Sequence, residues 1–84
     1  MITLLYFARL REALGAGSEQ LALPPTVRTL SALRGHLEQR GGAWAKEMAA
    51  ERNLRAAINQ TVAAADAPVA DGDEVAFFPP VTGG

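Results

Sequence analysis

Glu74-Val75-Ala76-Phe77-Phe78-Pro79-Pro80-Val81-Thr82-Gly83-Gly84 is the stretch on which the reading of this chain turns. An apolar run meets two prolines, and proline cannot donate to a strand ladder, so a strand over 74–78 stops at Pro79. Upstream, Asp71-Gly72-Asp73 is a turn signal in which Gly72 supplies the positive φ. Phe77 and Phe78 fall on opposite faces of the strand, so at most one of them is fully in the core. The other, beside a projecting tail, suits an interface anchor. From Pro79 to Gly84 an extended chain reaches about 20 Å at ~3.3–3.6 Å per residue. Val81 and Thr82 fit an extended segment in a partner groove, and Gly83-Gly84, lacking Cβ, enters a channel too narrow for side chains. Glycine-rich chain ends often fray without function, but the rigid Pro79-Pro80 segment leaving an apolar strand weighs against that here. The expected organisation is a domain over 1–78 and an extended tail over 79–84 that holds out the α-carboxylate of Gly84.

The opposite end of the chain has a matching strand. Residues 2–8 place Ile2, Leu4, Tyr6 and Ala8 on one face and Thr3, Leu5 and Phe7 on the other, so both faces are largely apolar. Such a strand belongs inside a sheet, covered on both sides or paired on both edges. Opening and closing on apolar strands predicts that these two pair at the sheet centre. Between them, residues 9–14 allow a short helix and Glu19–Leu23 a second strand, ended by Pro24-Pro25. Thr26 is the expected N-cap of the main helix, with Val27, Leu30, Leu33 and Leu37 on one face. Gly35 inside it lowers helix propensity by about 1 kcal/mol relative to alanine, and Gly41-Gly42 end it, one taking a left-handed cap. Residues 43–50 suggest a second short helix. Residues 54–59 and 62–65 read as two short strands around Asn59-Gln60. The fold class is α+β, one main helix packed on a mixed sheet.

Composition removes most chemistries. The chain has 84 residues, no cysteine and one histidine, His36, so thiol nucleophiles and thiolate metal sites are excluded, and His36 cannot build a multi-histidine metal site or supply both parts of a His-based relay. A formal net charge of −1 argues against nucleic acid or an anionic membrane as partner. The apolar start lacks a preceding basic region and is too short to span a bilayer, which predicts a cytoplasmic protein. Asp66, Asp71, Asp73 and Glu74 match no EF-hand spacing and read as a solvated turn. Arg9, Arg11, Arg28, Arg34 and Arg55 are interleaved with acids and read as a mixed surface. His36 is expected on the helix surface and Trp44 over the core edge. No metal site, no bound cofactor and no autonomous catalytic set is expected.

What remains is the Gly84 carboxylate. A carboxylate is a poor electrophile until it carries a leaving group, and adenylation by ATP supplies one. Glycine has no stereocentre to epimerise in the activated state. Attack by sulfur on the acyl-adenylate leaves a thiocarboxylate, a soft anionic nucleophile; attack by a lysine amine instead gives a protein modifier. An inert tail on a plain interaction domain is the third reading.

Asp71 through Gly84 resembles the C-terminus of the small subunits of molybdopterin synthase, the sulfur carriers of molybdenum-cofactor biosynthesis. Phe7-Ala8 with Arg11-Glu12, Pro25-Thr26-Val27 and Ile58-Asn59-Gln60 carry the resemblance through the rest of the chain. It implies the ubiquitin-like β-grasp fold. It also implies that a ubiquitin-activating-like enzyme uses ATP to adenylate Gly84, that a persulfide donor converts it to a thiocarboxylate, and that the sulfur goes to cyclic pyranopterin monophosphate. The implied partner is the large subunit, in a heterotetramer. By the same resemblance Gly84 carries the reacting group. Gly83, Thr82 and Val81 line the partner's channel, and Phe77 or Phe78, with Pro79 and Pro80, belongs to the interface. Carriers for thiamine thiazole or tRNA thiolation also end in Gly-Gly; Phe-Phe-Pro-Pro-Val-Thr favours molybdopterin synthase.

Overall fold

The two apolar strands that bracket the sequence lie side by side. In the computed structural model, which describes residues 1–80, β1 (Ile2–Tyr6) runs parallel to β5 (Glu74–Phe78), with Leu4 opposite Val75 and Tyr6 opposite Phe77. Antiparallel neighbours complete a five-stranded sheet of order β2-β1-β5-β3-β4, where β2 is Ser18–Leu21, β3 Arg55–Ile58 and β4 Thr61–Ala63. Both bracketing strands are therefore paired on both edges, as doubly apolar strands require. The helices are α1 (Arg9–Leu14), α2 (Leu30–Glu38) and α3 (Gly42–Glu47). This order, with α2 crossing one face, is the ubiquitin-like β-grasp, an α+β fold.

Alternation decides which face is covered. Ile2, Leu4, Tyr6, Val75 and Phe77 are buried against Leu10, Leu30, Leu33, Leu37 and Met48, whereas Thr3, Leu5, Ala76 and Phe78 on the other face are only half-buried. One face is thus packed under helices, and the other has no covering layer among the described residues. β1 ends at Tyr6 rather than at Ala8: Phe7 is 48% exposed, and Ala8 takes a positive φ of 55° at the entry to α1.

The main helix starts one turn later than the sequence predicts. Thr29, not Thr26, is the N-cap, its Oγ1 accepting from the Ala32 amide at 3.1 Å. Pro24 to Val27 form a turn instead, closed by Val27 N–H donating to the Pro24 carbonyl at 3.0 Å, and Val27 is buried from outside the helix. Both threonines fit the capping pattern; the Pro24-Pro25 turn takes the first. α2 ends at Glu38 with Gln39 in the right-handed region, so Gly41-Gly42 do not cap it. Gly41 and Gly42, at φ 78° and 54°, open α3. The Asn59-Gln60 turn has φ 49° and 71°, the paired positive values of a type I′ hairpin. Asn59 holds this hairpin to the start of β5: its Oδ1 accepts from the Glu74 amide, its Nδ2 donates to Asp73 Oδ1, both at 3.0 Å. The Ile58-Asn59-Gln60 match is thereby accounted for by folding rather than by chemistry. Gly72 has the expected positive φ, 89°.

Gly35 faces a groove between α2 and the β3–β4 hairpin, and a Cβ there meets nothing within 4 Å. Packing does not require this glycine. Gly35→Ala is expected to stabilise the domain by about 0.5–1 kcal/mol and to raise Tm by roughly 3–6 °C. Calorimetry checks it; an unchanged or lower Tm would mean that the backbone at this position is not free to be stiffened.

Candidate functional site

The tail leaves the sheet at the end of β5, and what surrounds that point is set by three packed rings. Phe77 is 2% exposed, its ring stacked on Tyr6 at 6.5 Å between centroids; Tyr6 meets Trp44 edge-on at 5.3 Å. Arg40 lies over Trp44 at 4.4 Å, and its Nη1 donates to Glu19 Oε1 at 2.8 Å. The same Glu19 oxygen accepts from the Tyr6 hydroxyl at 2.8 Å. Burial first, then this hydrogen bond to a carboxylate, pushes the Tyr6 hydroxyl well above the ordinary phenol range, so it stays a donor. The cluster ties β1, β2, α3 and the segment after α2 together beneath the strand that carries the tail.

Phe77 therefore belongs to the core, and its side chain is withdrawn from the partner-facing set. Phe78 is the aromatic on the open face. It stands opposite Arg55, next to the row Leu5, Ala76, Ala57 and Val62 that the strand register lines up across the sheet. Val62 is 62% exposed, and at the end of β1 Phe7 adds an exposed aromatic to the half-buried Phe78. An apolar row of this kind on an uncovered sheet face is the composition of a protein–protein contact.

The other flank of the tail root is charged. Pro79 and Pro80 are half-buried and line a groove of about 420 Å³ with Arg9, Leu10, Glu47, Arg52, Asn53 and Leu54. The expected roles of Val81, Thr82, Gly83 and Gly84 lie outside the described residues. Sequence reasoning did not single out Glu47 or Arg52. The available signal was a carboxylate inside the otherwise alanine-rich 43–50 segment, which helical spacing alone does not mark as buried.

Arg34 corrects the reading of the arginines as surface charge. Its guanidinium donates to the carbonyls of Met48 (2.8 Å), Ala49 and Arg52 (2.8 Å), clamping the exit of α3 to α2. Desolvation lowers its pKa. Trp44 packs on the core edge and His36 is half-buried on α2. No three His, Cys, Asp or Glu side chains come together as a metal site among the described residues, and no described helix is long and apolar enough to cross a membrane.

The profile of the ThiS family matches residues 4–84. The chain belongs to the ThiS family. Within it, the chain is 47% identical to the molybdopterin synthase sulfur carrier subunit of Escherichia coli K12 over the full length of both. A candidate molybdopterin converting factor subunit 1 of Pyrococcus furiosus superposes with a TM-score of 0.77 at 27% identity, covering 95% of this chain and 97% of that one. The small archaeal modifier protein 1 of Haloferax volcanii superposes at 0.66 with 28% identity, again over 95% and 97%. ThiS-family membership thus joins a ubiquitin-like sulfur-carrier fold to a sequence most akin, among these three, to a molybdopterin synthase subunit.

Proposed function

We propose that this chain is the sulfur carrier of a molybdopterin synthase and that the Gly84 carboxylate is its reacting group. The full-length similarity to the Escherichia coli sulfur carrier subunit carries the reading. In the proposed cycle a ubiquitin-activating-like enzyme transfers AMP from ATP to the carboxylate and releases pyrophosphate. The terminal sulfur of a donor persulfide attacks the acyl carbon and AMP leaves. A thiol then cleaves the resulting acyl disulfide by exchange, leaving a thiocarboxylate and a disulfide on the donor. Within the large subunit the thiocarboxylate delivers sulfur to cyclic pyranopterin monophosphate, and hydrolysis returns the carboxylate. This chain supplies no acid, base or nucleophile beyond its own terminus; it presents the tail from a rigid strand and docks through Phe78, Pro79, Pro80 and the open face. The proposed assembly is a heterotetramer with the large subunit.

A ubiquitin-like modifier is the second reading, favoured by the similarity to the archaeal modifier protein. Both uses begin with the same adenylated glycine and part at the acceptor. Incubation with ATP, the activating enzyme and a persulfide donor, followed by intact-mass measurement, separates them. The carrier gains the mass difference of one oxygen replaced by one sulfur. Attachment to larger proteins would support the modifier instead, and an unchanged mass in an assay shown to work on another carrier would remove both.

A further inference from the structure

The side of the tail root away from Phe78 holds a carboxylate between two guanidiniums. Glu47 is 8% exposed at its side chain; Oε1 lies 3.5 Å from Arg9 Nη2 and Oε2 lies 3.7 Å from Arg52 Nη2. Burying a carboxylate at the end of α3 is unfavourable unless it is paired, and both its partners line the groove under Pro79 and Pro80. One acid against two bases leaves one net positive charge at the foot of the tail. Both separations exceed the ~2.7–2.9 Å of a full charge-assisted bond, and a guanidinium offers several N–H donors. Arg9 is 62% exposed, and Glu47 is its one hydrogen-bond partner among the described residues. Arg52 is steadied further by donating from Nε to the Lys46 carbonyl at 3.3 Å. The buried acid thus orients a pair of arginines that retain donors toward solvent.

We infer that the Arg9–Glu47–Arg52 cluster is a docking point for a carboxylate at the mouth of the tail-receiving channel of the adenylating partner. This rests on the proposed function. A nucleotide phosphate is the other obvious anion, but distance disfavours it. In the extended tail of the proposed function, four residues from Pro80 to Gly84 cover about 13–14 Å, farther than an arginine side chain reaches, which would put a phosphate on Gly84 beyond Arg9. The adenylating enzyme is favoured over the large subunit by the type of contact. An enzyme that must release its carrier after each turnover is served by exposed charge pairs, which speed encounter more than they prolong residence. The apolar row beside Phe78, on the opposite side of the sheet, suits the longer-lived complex.

Pyrophosphate release by the activating enzyme, followed against concentration of the full chain at several ionic strengths, tests this. Arg9→Glu is expected to lower kcat/KM about tenfold or more at low salt, mainly through KM, with the gap narrowing as salt screens the pair. Arg9→Lys keeps the charge and stays within about threefold, and affinity of Arg9→Glu for the large subunit stays within about twofold of wild type. Reversing an acidic residue at the enzyme's channel mouth is expected to restore the Arg9→Glu rate. Wild-type kcat/KM for Arg9→Glu at low salt, a loss indifferent to salt, or an equal loss of large-subunit affinity overturns the inference. If the wild-type chain is adenylated and Arg9→Glu is adenylated equally, the inference alone fails. If the wild-type chain is not adenylated at all, the proposed function fails with it.

Discussion

Deleting Gly84 is expected to abolish thiocarboxylate formation, and adding one residue after it is expected to do the same, with the fold intact in both variants. The proposed chemistry needs a carboxyl carbon at one fixed depth in a partner's active site. One extra extended residue displaces that carbon by roughly 3.3–3.6 Å. Reacting atoms in a productive complex stand only about 3–3.5 Å apart, and an error of about 1 Å already lowers rates near a hundredfold. The expected loss is therefore at least about a hundredfold for either variant. Truncation also moves the carboxylate onto Gly83 and shortens the reach by the same increment, so chemical identity is kept while position is lost. The core is built from residues between Ile2 and Phe77, which is why far-ultraviolet circular dichroism and Tm should not change. Intact-mass measurement after incubation with ATP, activating enzyme and sulfur donor reads the outcome. Wild-type sulfur incorporation in the extended variant would be incompatible with the terminal carboxylate as the reacting group.

The sheet was legible because its signals are local and redundant. The central β1–β5 pair follows from two apolar runs at the ends of the chain, and proline marks where β5 stops. The Asp71-Gly72-Asp73 turn was legible because glycine takes positive φ readily, and the Asn59-Gln60 turn because two polar residues interrupt two apolar runs. Boundaries were less legible where two residues compete for one role. Thr26 and Thr29 both satisfy the N-cap pattern, and only the turn made by Pro24-Pro25 assigns it to Thr29. Gly41-Gly42 read as the end of the main helix; the structure uses them for the start of the next, because α2 already stops at Glu38. Which of Phe77 and Phe78 faces inward depends on the register with β1 and on where α2 lies, neither of which is a local property. The charged flank of the tail root was invisible because Arg9 is 38 residues from Glu47 in the sequence, and nothing local joins it to the Glu47–Arg52 pair. Arg34 was misread for a related reason, its three carbonyl partners being supplied by a loop whose path the sequence does not specify.

The division of labour between the two phenylalanines predicts opposite outcomes for one chemical change. Phe77→Ala removes a ring that stacks on Tyr6 at 6.5 Å and is 2% exposed, leaving a void beneath the centre of the sheet. Phe→Ala in a core costs about 3–5 kcal/mol. A domain of this length has roughly 4–13 kcal/mol in all, so the variant loses a large share of its stability and Tm falls by about 15 °C or more. Phe78→Ala removes a half-buried ring from the open face, where solvent or a partner rather than a packed helix fills the space. Its expected cost to the isolated domain is below about 1.5 kcal/mol, while the proposed complex with the large subunit weakens about thirtyfold if this ring is an anchor of the interface. Thermal unfolding and titration calorimetry on the two variants read both quantities. Equal Tm losses would mean that the open face is covered within the isolated chain. A Phe78→Ala variant that binds the large subunit at wild-type affinity would move the proposed interface off this face. The two measurements are independent because burial, not residue type, separates the positions: the same side chain one residue apart holds the fold on one side of the strand and meets the partner on the other.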